Sequence, residues 1–252
     1  MIIGVTGAGG HLGAAMTLDL ASHGATVLAL GRNLSNLEAV VERASGQETL
    51  GQVIALECDI RSEEDIALAL DRMEGEGGVH GWVNNAYGAT GSQLDELDPE
   101  SVAETLDCGL GAVMLLTDQV AARMGEGGSI VNVASMYGVV SPQPSLYDDH
   151  PQFHNPPAYG AAKAGVIGLA KGLARELLPS DITVNCIAPS MAMTDLLDGM
   201  SAEYIADKKS RIPMGRLCTP EEIANVAAFI ASPACSFTTG QVFDVTGGRA
   251  TW

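Results

Sequence analysis

Basic residues are scarce in this chain: 13 Lys and Arg stand against 31 Asp and Glu, for a formal net charge of -18. A surface that acidic is repelled by phosphate polymers and anionic lipid, which argues against nucleic acid or a membrane as partner and favours solubility. Aromatic residues are scarcer still, at 4% against 46% apolar. The core must therefore be built from Ala, Val, Ile, Leu and Met with close glycine contacts, which suits helices packed tightly on a sheet. The five cysteines, Cys58, Cys108, Cys186, Cys218 and Cys235, form no C-x-x-C pair and are odd in number. Neither a zinc site nor a disulfide framework follows. Apolar runs are too short and too interrupted by glycine to span a bilayer, and no charged leader precedes the first strand, which begins at Ile2. The expected location is a reducing cytoplasm. A length of 252 residues fits one large α/β domain.

What is present is a phenol and an ammonium four residues apart, Tyr159 and Lys163 in PPAYGAAK, at the start of a predicted helix. That spacing puts both on one face. A tyrosine hydroxyl titrates near ~10 in water and needs a nearby positive charge to act as acid or base at neutral pH. Lys163 supplies that charge. Taken alone, such a pair is more often an ordinary surface Tyr and Lys, so the rest of the chain must decide.

The opening MIIGVTGAGGHLGAAMTLDL reads as a buried strand, a glycine turn holding Gly7, Gly10 and Gly13, then a helix with Leu12, Ala15, Met16 and Leu20 inward. Glycines in that setting let backbone approach a pyrophosphate at a helix N-terminus. The second strand, 25–30, ends at Gly31 and Arg32. An acidic side chain roughly 20 residues past the glycines would hold the ribose hydroxyls of NAD; Gly31 leaves that place empty, and the Arg32 guanidinium suits the 2'-phosphate of NADP. The expected cofactor is NADP, with NAD the alternative.

Further strands are predicted at 52–58, 79–83, 129–134, 181–188 and 241–245, alternating with helices at 34–44, 62–73, 99–124, 156–178 and 220–231. That alternation is the pattern of a parallel sheet covered on both faces. Ser135 follows the fifth strand, at the end where open α/β sheets place ligands. Residues 136–157 form a long polar segment, read as a lid over the substrate, and 190–212 is read as a mobile substrate loop. His150 and His154, with Asp148 and Asp149, invite a metal. Pro151, Pro156 and Pro157 remove the helix that would align them, so no metal is expected. His11 and His80 read as local packing or surface residues.

Together TGAGGHLG, NNA, Ser135, the Tyr159 and Lys163 pair, VNCIAP and GRLCTPEEIANVAAFIASPACSFTTGQVFDVTGG resemble the short-chain dehydrogenase/reductase family, in order along essentially the whole chain. The resemblance implies a single Rossmann-type domain, a doubly wound seven-stranded parallel sheet in three α/β/α layers. It implies hydride transfer between a nicotinamide cofactor and an alcohol or carbonyl, in a homodimer or homotetramer. Tyr159 then looks like the acid in reduction and the base in oxidation. Lys163 would lower its pKa and hold the nicotinamide ribose, and Ser135 would hydrogen-bond the substrate oxygen. Asp59 and Ile60 match positions that hold adenine, and Asn85, beside Ala86, matches a structural asparagine. Ile187 and Pro189 match residues flanking the nicotinamide, and Thr194 a hydroxyl that binds carboxamide or phosphates.

Departures are His11 at the middle glycine, Gly109 where the family has an asparagine supporting a water relay, Tyr87 and Ser190 for glycines, and Thr246 for aspartate. The long interval between Ser135 and Tyr159 is similar to that of sugar-modifying relatives, which points to a small, polar, hydroxylated substrate. Tyr137 and Tyr147 are rival phenols, but neither has a lysine four residues on. The alternative function, motivated by Gly109, is a cofactor-binding sensor or partner subunit with little or no turnover.

Overall fold

The computed structural model describes residues 1–47, 49–88, 98–143, 147, 155–194, 197 and 199–251, the side chain of Glu126 excepted. Strands and helices alternate along it: β1 (Ile2–Thr6), α1 (His11–Ser22), β2 (Thr26–Gly31), α2 (Leu34–Ser45), β3 (Gln52–Glu57), α3 (Glu63–Gly75), β4 (Val79–Asn84), α4 (Pro99–Leu106), α5 (Ala112–Arg123), β5 (Met124–Val133), α6 (Pro157–Glu176), β6 (Thr183–Pro189), α7 (Ala202–Ser210), α8 (Pro220–Ala231) and β7 (Val242–Val245). The seven strands form one parallel sheet in the order β3-β2-β1-β4-β5-β6-β7. The chain winds outward from β1 to β3, then returns past β1 to β4. That reversal opens a crevice at the carboxyl ends of β1 and β4.

Period-two alternation divides the core between the two faces. Ile3, Val5, Val27 and Ala29 point to the side covered by α1, α2 and α8, with Met16, Leu37 and Ile223. Ile2, Leu28, Leu30 and Trp82 point to the side of α3, α5 and α6, with Leu70, Leu116 and Val166. Five helices, α2, α3, α4, α7 and α8, start at a side chain that caps them. Ser62 Oγ accepts from the Asp65 N–H at 3.2 Å, and Thr219 with Glu222 forms a reciprocal capping box.

Three expectations change. The single helix expected over 99–124 is two helices joined by a π turn, Asp107–Gly111, whose two glycines weaken α-helical continuity. β5 begins at Met124, which pairs with Val79 before the register shifts, so it is longer than the strand expected from 129. The segment read as a mobile loop, 190–212, contains α7, capped by Ser201 and anchored by the buried side chains of Tyr204 and Lys208. In 136–157 a 3-10 turn spans Met136–Gly138. Asp148, Asp149, His150, Pro151 and His154 lie outside the described residues. Among the described residues no group of three His, Cys, Asp or Glu converges as a metal cluster, and no helix is long and apolar enough to cross a membrane.

Candidate active site

The glycine turn brings the first strand and helix together at the crevice. Gly7 adopts φ +66 after β1. A Cβ on Gly13 would overlap the Gly7 carbonyl oxygen and fall 2.8 Å from Asn85 Nδ2, so only glycine lets the first turn of α1 pack there. Gly10 caps α1 without a side chain, so no side chain from its N-cap occupies the amides of that turn, beside His11 and Leu12. The Asn85 side chain donates to the Thr6 and Gly7 carbonyls at 2.8 and 3.3 Å, tying the end of β4 to the turn. Thr6, which sequence reasoning passed over, secures the same junction. Its Oγ1 accepts from the Asn85 and Ala86 N–H groups at 3.0 Å each and donates to the Val83 carbonyl.

The turn forms one wall of a cleft of about 800 Å³. Gly7, Gly10, His11, Leu12, Gly13, Arg32, Asp59, Ile60, Asn85, Ala86 and Thr194 all line it. Pro189 is buried at the end of β6, where its successor Ser190 reaches the wall. Ser190 Oγ is buried without a hydrogen-bond partner among the described residues, as expected of a wall that a polar ligand completes. Near Arg32 the chain supplies a second guanidinium that the motif reading did not find. Arg61 grips Asp59 through Nε at 3.3 Å and Nη2 at 3.1 Å, which holds the carboxyl below the usual carboxylate range. A glycine turn free of side chains, uncapped amides and two of the chain's few cations fit a phosphate-bearing dinucleotide.

Ser135, Tyr159 and Lys163 do not themselves line this cleft; Tyr159 and Lys163 pack against Tyr87, which does. Ser135 follows β5, buried, with its Oγ accepting from the Tyr137 N–H at 3.1 Å. Tyr159 lies in the first turn of α6, which begins at Pro157, and Lys163 follows one turn later. Lys163 is 6% exposed, and its Nζ donates to the Val133 carbonyl at 2.8 Å. Burial lowers its pKa to about 8, against the smaller opposing effect of the Cys186 thiol.

Burial pushes the Tyr159 phenol up, and the Ser135 hydroxyl pulls the other way. The Lys163 ammonium, which donates to the end of β5, stands 5.9 Å from the Tyr159 ring centroid. Neither rival phenol has a lysine four residues on, as expected, but both have partners. Tyr137 and Tyr147 share a hydrogen bond of 2.7 Å, and Tyr147 does have a cation, Lys208 Nζ at 4.0 Å from its ring centroid, delivered by α7 rather than by its own helix. His80 Nδ1 accepts from the Ile2 N–H at 3.1 Å, a packing role at the opposite end of the sheet.

The family model described as enoyl-(acyl carrier protein) reductase matches residues 7–250. The chain belongs to the short-chain dehydrogenase/reductase family. It is 33% identical to the 3-oxoacyl-[acyl-carrier-protein] reductase FabG of Thermotoga maritima over 247 residues, covering 97% of this chain and 95% of the relative. A short-chain dehydrogenase/reductase structure from Mycobacterium ulcerans superposes with TM-score 0.88 at 32% identity, over 99% of this chain and 90% of the other. A variant of actinorhodin polyketide ketoreductase with NADPH superposes with TM-score 0.84 at 26% identity, over 100% and 97%. The protein is thus an oxidoreductase of the family that interconverts alcohols and carbonyls with NAD(P).

Proposed function

We propose that this short-chain dehydrogenase/reductase interconverts a secondary alcohol and a carbonyl on a small polar substrate, using NADP in preference to NAD. The observation that carries the reading is the meeting of Ser135, Tyr159 and Lys163 behind Tyr87, which lines the same cleft as Arg32 and Arg61. The NADPH bound to the structurally similar ketoreductase supports the cofactor choice. The dinucleotide would lie on Gly7, Gly10, His11, Leu12 and Gly13, with Asp59 and Ile60 at adenine, Asn85 and Ala86 along the middle, and Pro189 and Thr194 toward the nicotinamide.

When bound, the nicotinamide supplies or accepts the hydride at the carbon. In reduction Tyr159 gives its hydroxyl proton to the substrate oxygen, and Ser135 donates a hydrogen bond to that oxygen as charge builds on it. Burial keeps the phenol protonated at neutral pH, which suits the acid role. In oxidation the phenol must first lose its proton, so that direction gains from rising pH. Lys163 holds its charge near this group up to about pH 8 and would help hold the nicotinamide ribose when the cofactor is bound. Residues 136–157 and 190–212 would cover the substrate, in a cytoplasmic homodimer or homotetramer.

The test is a fluorescence titration with NADPH and with NADH, followed by turnover of a panel of 3-oxo esters and keto sugars by the wild type and Tyr159→Phe. Tighter NADPH binding is expected, with turnover reduced ~10²–10⁴-fold by the substitution and NADPH affinity kept. Undiminished turnover in Y159F would remove the catalytic assignment, and failure of either dinucleotide to bind would remove the cofactor site.

A further inference from the structure

Two residues without an assigned part in the chemistry meet behind the Tyr159 and Lys163 pair. Gly109 sits in the π turn between α4 and α5, and Tyr87 follows β4 at the cleft wall. A Cβ on Gly109 would lie 3.1 Å from Tyr87 Cε2 and 2.9 Å from the Ala162 Cβ. The space that any other side chain would take at 109 is therefore filled by the Tyr87 ring. That ring stands edge-to-face with the Tyr159 ring, with centroids 5.2 Å apart and planes at 83°. The Lys163 ammonium lies 5.0 Å from the Tyr87 centroid, closer than to the Tyr159 ring.

We propose that Tyr87 is a positioning residue of the active site: its ring, admitted by Gly109, holds the Tyr159 ring in place and gives the buried Lys163 ammonium a π face that water would otherwise supply. The proposal rests on the Tyr159 and Lys163 reading and deepens it. A buried ammonium has three N–H donors and here, among the described residues, a single hydrogen-bond acceptor, the Val133 carbonyl. The negative face of an aromatic ring partly replaces the missing hydration. The other titratable groups around this cluster are Cys186 on β6, which faces Lys163, and Cys108 in the π turn, which faces Tyr87. The Tyr87 hydroxyl itself is pushed up to about 12, chiefly by burial, so it is neutral over the working range. The face of the ring, rather than a charge on its oxygen, is what acts.

The chain has four lysines, Lys163, Lys171, Lys208 and Lys209. Carbon NMR of protein labelled at the lysine ε-carbon therefore resolves Lys163 directly, with Lys163→Met assigning the signal. In wild type the midpoint is expected at about 8. Tyr87→Leu keeps the site apolar but removes the π face, and is expected to lower that midpoint by about half a unit to one and a half units. Tyr87→Phe keeps the ring and should restore the wild-type midpoint. Gly109→Ala, which pushes the ring aside without changing its chemistry, should move the midpoint in the same direction as Y87L.

A midpoint unmoved in Y87L, or moved equally in Y87F, would overturn the proposal. Because the titration reads the free protein, it stands apart from the catalytic assignment. Undiminished turnover in Y159F would sink that assignment, whatever the lysine signal does.

Discussion

Lys163→Met replaces the most costly charge in the active site with an apolar side chain of similar length. In the folded protein the amine titrates at about 8 rather than its ordinary 10.5, because burial disfavours the ammonium. In the window between those values the unfolded chain holds the proton and the folded chain has lost it. Stability attributable to this group therefore rises with pH there. Below pH 8 both states are charged, and the folded state carries the full penalty. The shift of about 2.5 units, at roughly 1.4 kcal/mol per unit, amounts to about 3 kcal/mol. Urea unfolding of wild type and K163M between pH 7 and 10.5 isolates the term, since Cys186, the thiol coupled to Lys163, is pushed up to about 12 by burial and stays protonated in the folded state over that range in both proteins. K163M is expected to be favoured most, relative to wild type, at pH 7. That advantage should shrink by about 1.4 kcal/mol per pH unit above 8, to a total of about 3 kcal/mol. A difference that stays flat across the range, or grows with pH, would refute the reasoning. On the proposed function the variant should also lose turnover.

Arg32→Ala should weaken NADPH binding by ~10–100-fold, the value of one charge-assisted contact to phosphate, and NADH binding far less. Equal losses in a fluorescence titration would show that the guanidinium does not read the 2'-phosphate. Gly13→Ala forces a methyl into the Gly7 carbonyl oxygen. It should lower unfolding stability in urea by about 3 kcal/mol and abolish dinucleotide binding together. A variant with wild-type stability would mean that the turn relaxes freely.

The arrangement of the sheet was legible because each strand is a short apolar run between punctuated helices, and because parallel strands joined by helices leave few ways to wind. β1 through β7 fall within a few residues of the expected runs, except β5, which extends back to Met124 through a register shift that no local pattern announces. The π turn at Asp107–Gly111 was hidden for a related reason. Two glycines weaken a helix, but whether it breaks, bends or widens depends on what packs against it, here Ala162 and Tyr87.

The sequence by itself determined the chemistry available: a glycine turn after a strand, a guanidinium next to the place where an acid would select NAD, and a phenol one helical turn from an amine. Those follow from spacing along single elements, which is local information. Only the tertiary structure decided how these groups meet. It committed the Lys163 amine to the Val133 carbonyl and buried the Tyr159 phenol, which pushes its pKa up. It brought Lys208 to Tyr147 and Tyr87 into the space left by Gly109. Burial and the partners of a buried charge come from segments far apart in the chain, and they set its energy.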